Sequence, residues 1–248
     1  MKKFYFIIGL SIFIIMKSFG QTFGISIYSG LIYNHSQRLY ESLGLLNDNY
    51  YKNFLYGADI ICEKDKIGFK LGYYKTKFTN VLNFDGSPTL YFTNKNFLSS
   101  VTTQMIYLGF SNSVIKTSKY KLNLVFGIDM SYIDLNSYEG DFVIRDSLYF
   151  EDNAYYIDLL SLSRTLNQTT FGFNFSIENH YLITKSIFAF VSITGRAGFM
   201  QTFTNLYFHS FTSIDDGHST LWQHSMVANK GDFWGVKIGM LYNIKYAN

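Results

Sequence analysis

Over most of its length the chain places apolar side chains at every second position, with polar residues or glycine between them. The stretch Phe233 to Tyr246 is the clearest. Trp234, Val236, Ile238, Met240, Tyr242, Ile244 and Tyr246 alternate with Gly235, Lys237, Gly239, Asn243 and Lys245. Successive residues of a strand point to opposite faces, so one face is apolar and the other polar or bare. Leu122, Leu124, Phe126, Ile128, Met130 and Tyr132 alternate in the same way with Lys121, Asn123, Gly127, Asp129 and Ser131. Phe171, Phe173, Phe175 and Ile177 alternate with Gly172, Asn174, Ser176 and Glu178; Ile67, Phe69, Leu71 and Tyr73 alternate with Gly68, Lys70, Gly72 and Tyr74. A first strand is expected from about Thr22 to Tyr33, with Phe23, Ile25, Ile27 and Leu31 on one face. Three further segments, near 53–63, 102–115 and 186–201, alternate less cleanly and bring the strands to eight.

The links between these strands are alternately long and short. The long ones run roughly 34–52, 80–101, 134–167 and 202–231; the short ones are Lys64-Asp65-Lys66, Lys116-Thr117-Ser118-Lys119 and Ile183-Thr184-Lys185. Big loops at one rim and tight turns at the other are the wiring of an outer-membrane barrel. The expected fold is all-β: an eight-stranded antiparallel up-and-down transmembrane β-barrel with a polar lumen and four long external loops. Its termini and tight turns would be periplasmic and its long loops extracellular. The polar face decides which way the barrel is turned. It carries Asp59, Glu63, Asp129 and Glu178 against Lys70, Lys121, Arg196, Lys237 and Lys245. Opposite charges in a narrow lumen can neutralise one another, whereas isolated ions in a low-dielectric interior cost far more. The apolar face would then meet lipid, with an aromatic girdle at Tyr33, Tyr132, Trp234 and Tyr246. A soluble β-sandwich with one wet face is the alternative, and it accounts less simply for the link rhythm. Eight strands make a lumen filled by its own side chains, which excludes a diffusion pore.

Composition refines this reading. Aromatics are 19% and charged residues 16% of 248 residues, rich and poor respectively for a water-soluble domain. The sole proline, Pro88, falls in a long link. Residues 1–20 read as a signal peptide: Lys2 and Lys3, an apolar run from Phe4 to Met16, then Ser18 and Gly20 before a cut at Gln21. The barrel is then 21–248. The leader holds three of the 21 basic residues and no acid, so the mature chain balances 18 against 18 and offers nothing to nucleic acid. One cysteine, Cys62, leaves an exported chain without an internal disulfide.

Two hairpins carry a family likeness. One runs from Gln104-Met105-Ile106-Tyr107-Leu108-Gly109-Phe110 through Lys119 to Leu124-Val125-Phe126-Gly127-Ile128. The other runs from Phe171-Gly172-Phe173 through Glu178 to Ser192-Ile193-Thr194-Gly195-Arg196-Ala197-Gly198-Phe199. They resemble the small outer-membrane β-barrel families common in Bacteroidota, including the porin-T-like group, and more distantly OmpA/OmpX-type barrels. The likeness is one of pattern over most of the mature chain. It implies outer-membrane lipid and the barrel-assembly machinery as partners. Members of such families do unlike things, so fold does not supply function.

Candidate chemistry is confined to the lumen and the long links. Four of the five histidines precede serine: His35-Ser36, His209-Ser210, His218-Ser219 and His224-Ser225. Adjacent residues of a strand face opposite ways, so such pairs cannot act as base and nucleophile unless their partners come from elsewhere. The fourth link gathers His209, Asp215, Asp216, His218 and His224. Of these His209, His218 and His224 are weak metal candidates whose spacing matches no helical or finger pattern. The same link has Phe208, Phe211, Leu221 and Trp222, as a binding surface or as a self-packed cover over the mouth. Glu178 and His180 share a face, as a proton-active pair or a satisfied lumen network. Leu39, Leu43 and Leu46 have helical spacing. Asp85-Gly86-Ser87-Pro88 reads as a turn extending two barrel strands. If Phe142-Val143-Ile144 and Tyr155-Tyr156-Ile157 crossed the membrane instead, the barrel would have ten strands. The expected role is structural or surface-interacting, with an envelope protein as candidate partner and no cofactor. The competing reading is a lipid-modifying enzyme using His, Ser and acid groups near the external rim.

Overall fold

The computed structural model describes residues 22–40, 49–83, 96–137, 142–150, 153–219 and 223–245. The strands are β1 (Thr22–Tyr40), β2 (Asn49–Lys64), β3 (Ile67–Asn83), β4 (Asn96–Lys116), β5 (Tyr120–Ile133), β6 (Phe142–Phe150), β7 (Asn153–Thr165), β8 (Thr169–Leu182), β9 (Ile187–Gly198), β10 (Phe203–Ser213), β11 (Gln223–Asn229) and β12 (Phe233–Lys245). Eight of them form the wall, in the order β1-β2-β3-β4-β5-β8-β9-β12. It is closed by β12 on β1 from Thr22↔Lys245 to Asn34↔Phe233. The segment proposed as a signal peptide lies outside the described residues.

The ten-stranded alternative is excluded. β5 pairs directly with β8 and β9 with β12, so the wall has no gap for another hairpin. The third- and fourth-link hairpins, β6–β7 and β10–β11, instead join each other through β7–β10, from Phe203↔Thr165 to Ser213↔Tyr155. This outer sheet is grafted onto the wall where β11 pairs with β1 at Gln37↔Ala228 and Arg38↔Val227. The expected helix at Leu39 is likewise replaced: β1 continues to Tyr40, so Leu39 is a strand residue. Leu43 and Leu46 lie outside the described residues. β3 and β4 stay paired up to Asn83↔Asn96, so that hairpin extends the wall. Its expected turn at Asp85–Pro88 also lies outside the described residues.

The two faces separate by the pleat. Ile27, Ile128, Ile193, Ile238 and Phe171 are each more than half exposed on the outside, while Lys70, Asn123, Asp129, Glu178 and Ser192 are buried inside. The lumen is less uniformly polar than the alternation implies. Ile32, Leu55, Phe78, Val101, Met105, Ile133, Phe203 and Phe233 face inward and pack into one apolar cluster. Three of these lie on β2 and β4, two of the less cleanly alternating strands, which carry apolar residues on both faces.

Two glycines are placed by an aromatic ring across the ladder. Gly72 pairs with Tyr107 inside and Gly195 with Phe175 outside. A Cβ on Gly72 would lie within the Tyr107 ring and against an Asp59 carboxylate oxygen. Gly72→Ala should therefore cost about 1–3 kcal/mol through displaced side chains. Urea unfolding of the refolded protein in lipid checks this; an unchanged midpoint would mean Tyr107 has room to move.

Candidate functional site

Three layers of polar side chains fill the lumen between the tight turns and the mouth. Nearest the turns, the Lys121 ammonium lies 2.7 Å from Glu63 and 5.0 Å from the centroid of the Phe188 ring. Ser113 Oγ donates to Asn123 Oδ1 at 2.8 Å beside them. The middle layer centres on Glu178, which takes Lys70 on one carboxylate oxygen together with His180 Nε2 at 3.0 Å. Ser176 Oγ donates to the other oxygen at 3.2 Å. The His180 ring stacks on Phe190 at 5.1 Å, and its Nδ1 finds no hydrogen-bond partner among the described residues. Tyr28 Oη donates to Asp59 at 2.9 Å while Lys237 lies over the Tyr28 ring at 4.9 Å. In the layer nearest the mouth, Arg196 grips Asp129 with Nη2 at 2.7 Å and Nε at 2.8 Å. Asn174 donates to the same carboxylate. The Nη1 of Arg196 reaches the Gly231 carbonyl at 2.8 Å, tying this layer to the entry of β12.

Asp59, Glu63, Lys70, Lys121, Asp129, Glu178, Arg196 and Lys237 are all buried in the barrel, four acids and four bases. The side chain of Lys245 lies outside the described residues. The direct ion pairs are Lys70–Glu178, Lys121–Glu63 and Arg196–Asp129. Asp59 and Lys237 instead meet through Tyr28. Beside Lys237 is a cavity of about 20 Å³ bounded by Tyr28, Tyr74, Tyr107, Asn174 and Thr194. That is room for about one water.

Above the charged layers an asparagine network joins wall to outer sheet. Asn34 donates to the Thr79 carbonyl at 2.7 Å, and Asn53 donates to Asn34. Asn80 donates to Asn205 of β10 at 2.7 Å, and Asn205 donates to Ser99 of β4 at 2.6 Å. Phe203, also from β10, sits in the apolar cluster beneath. The fourth link is therefore seated over the mouth rather than splayed from it. Its central Tyr207 is buried, and burial pushes the phenol up.

The serine-adjacent histidines are dispersed. His35 packs against Tyr50 with ring centroids 4.9 Å apart, and His224 packs against Phe208 at 6.2 Å. His218 is exposed in the turn after β10. There its backbone N–H donates to Asp216 at 3.0 Å and holds that carboxyl below its usual range. Ser219 Oγ lies 2.9 Å from Thr212 Oγ1. The side chain of His209, and Leu221 and Trp222, lie outside the described residues. Among the described residues no three His, Cys, Asp or Glu side chains gather as a metal set. The sequence reading missed the asparagine network; the only signal was the recurrence of Asn at the mouth-side ends of β1, β2, β3 and β10.

Outside, Tyr33 and Trp234 stack at 4.7 Å and Tyr132 is exposed at the mouth end of β5. Tyr246 lies outside the described residues; Tyr181 and Tyr242 stand exposed toward the turn end. Trp234 and Tyr242 bracket Val236, Ile238 and Met240 on β12, a band roughly 20 Å tall at ordinary strand rise and barrel tilt. A closed barrel ringed by exposed apolar side chains, with its ions inside, is built for hydrocarbon rather than water.

No protein-family model matches the sequence, and no curated protein is significantly similar to it. Several solved structures resemble the fold. The N-terminal β-barrel domain of Pseudomonas aeruginosa OprF aligns at 11% identity with a TM-score of 0.40, covering 91% of this chain and 98% of that one. A major outer membrane protein from Thermus thermophilus aligns at 8% identity and 0.42, covering 90% and 99%. The outer membrane protease OmpT from Escherichia coli aligns at 9% and 0.41, covering 90% and 97%. Likenesses this loose assign no activity, ligand or partner.

Proposed function

We propose that the protein is an integral outer-membrane β-barrel that does not conduct, and that its role is exercised by the outer sheet as a surface for an envelope protein partner. The observation that carries the reading is the division of labour in the fold. The wall's interior is packed with paired ions and an apolar cluster. Four strands are meanwhile devoted to a sheet outside the wall. Within that sheet β6 is paired on one side only, with β7, among the described residues. Such an edge presents backbone donors and acceptors along its length, as strand-adding partners require. The termini and tight turns are assigned to the periplasm and the sheet to the cell exterior, following the rule that long links are external. The lipid-modifying alternative has one cluster in its favour, Ser213, Asp216 and His218 in the exposed turn after β10, but there the Ser213 side chain and the His218 backbone N–H both bind the Asp216 carboxylate, as a turn does.

Purified protein in planar bilayers should show no steady open-pore conductance. Replacing residues 142–165 with a short turn should leave a folded barrel that no longer cross-links the neighbour captured by the intact protein in native envelopes. A stable open channel would refute the closed lumen, and cross-linking that survives excision would move the interaction elsewhere.

A further inference from the structure

The three tight turns are chemically alike in a way barrel closure does not require. Lys64, Lys66, Lys116, Lys119 and Lys185 are all exposed there, and the only carboxylate among the described turn residues is that of Asp65. Asp65 holds a left-handed backbone at φ +56°, and its carbonyl accepts a hydrogen bond from the Lys116 ammonium. The nearest other acid, Glu63, points into the lumen and is occupied by Lys121. Among the described turn residues the rim therefore carries five lysines against one aspartate.

Where these lysines stand indicates what they meet. Each turn directly adjoins the apolar belt. Ile67 follows Lys66, Val114 and Ile115 precede Lys116, and Ile183 lies two residues before Lys185, all of them exposed. A lysine at such a boundary lays its methylene stem along apolar surface and lifts its ammonium to the first polar layer. For a barrel in a bilayer that layer is the phosphate level of the headgroups. The turns also sit at three of the four strand junctions of this rim, β2–β3, β4–β5 and β8–β9; the fourth is where Thr22 and Lys245 meet. A ring of cations matches an annulus of lipid, whereas a protein partner would be met by a patch on one side. Neighbouring turns two strands apart are about 10 Å from one another, near the Debye length at ordinary ionic strength. The lysines thus repel one another unless counter-charge lies in the same plane.

We propose that the short-turn rim is a binding site for anionic phospholipid headgroups, held by Lys64, Lys66, Lys116, Lys119 and Lys185. The proposal rests on the membrane reading above. A juxtamembrane lysine is attracted to an anionic surface strongly enough to favour a charged lipid over a neutral one about fivefold.

The test uses the full mature barrel inserted into phosphatidylcholine vesicles containing a minor fraction of phosphatidylglycerol. Spin-labelled analogues of each lipid report the fraction immobilised against the protein. The wild type should immobilise phosphatidylglycerol about fivefold in preference to phosphatidylcholine at low salt, with the preference falling toward unity in molar salt. Replacing all five lysines by glutamine should abolish the preference, and replacing them by arginine should keep it. Equal immobilisation of both lipids by the wild type overturns the site, as does a preference that the glutamine variant retains. If the glutamine variant does not insert, the wild-type salt series decides, since a salt-insensitive preference also overturns it. Failure of the wild type to insert into either vesicle would instead sink the membrane reading, so the two failures are told apart.

Discussion

Arg196→Met should destabilise the barrel by about 3–5 kcal/mol, the cost of leaving a buried partner charge uncompensated. Both members of the pair are sealed from solvent, with side-chain exposure of 0% on each. The arginine makes two short contacts to Asp129, and methionine would replace its length but none of its five donors. Asn174 also donates to that carboxylate, but a neutral amide cannot supply the missing charge. The variant also releases the Gly231 carbonyl, so the entry to β12 should loosen and the fourth link exchange backbone protons faster. Urea unfolding in lipid measures the first effect and hydrogen exchange the second. Adding Asp129→Leu should restore most of the loss, because an apolar replacement of a whole buried pair is often neutral. If Arg196→Met alone were neutral, water would have to reach Asp129, and the mouth-side layer would not be closed.

Ile238→Arg tests the other face and should cost about 2–4 kcal/mol when the barrel unfolds from a bilayer. Ile238 is 58% exposed midway between Trp234 and Tyr242, beside Val191 on β9. At that depth the guanidinium has only hydrocarbon around it, and its reach to either headgroup layer is poor. Ile238→Leu keeps the apolar character and should stay within about 0.5 kcal/mol. A soluble barrel with the same shape would give the opposite result: arginine at an exposed site would be tolerated and would raise solubility without detergent. That outcome would end the membrane reading, whatever the lumen contains.

Much of this was legible from local pattern. The alternation at Phe233–Tyr246 or Phe171–Glu178 assigns each residue to a face because the pleat does so one residue at a time. Eight of the nine charges read as inward-facing are buried for that reason, the side chain of Lys245 lying outside the described residues. Pattern was weakest on β2 and β4. There Leu55, Val101 and Met105 face the same lumen as Asp59, and a strand with apolar residues on both sides has no readable inside. The hairpins β6–β7 and β10–β11 were visible as strand-forming material. Whether they entered the wall was not, since pairing between β5 and β8, or between β7 and β10, joins segments whose own sequences do not name their neighbours.

By itself the sequence determined the faces of the cleanly alternating strands and the rim that holds the tight turns, because strand period and link length are properties of adjacent residues. Tertiary structure alone decided which lumen charges meet. Lys70 reaches Glu178 across 108 residues of chain, and Asn80 reaches Asn205 across 125. Those meetings depend on how far each strand is staggered when the sheet closes on itself, a quantity set by all eight strands together.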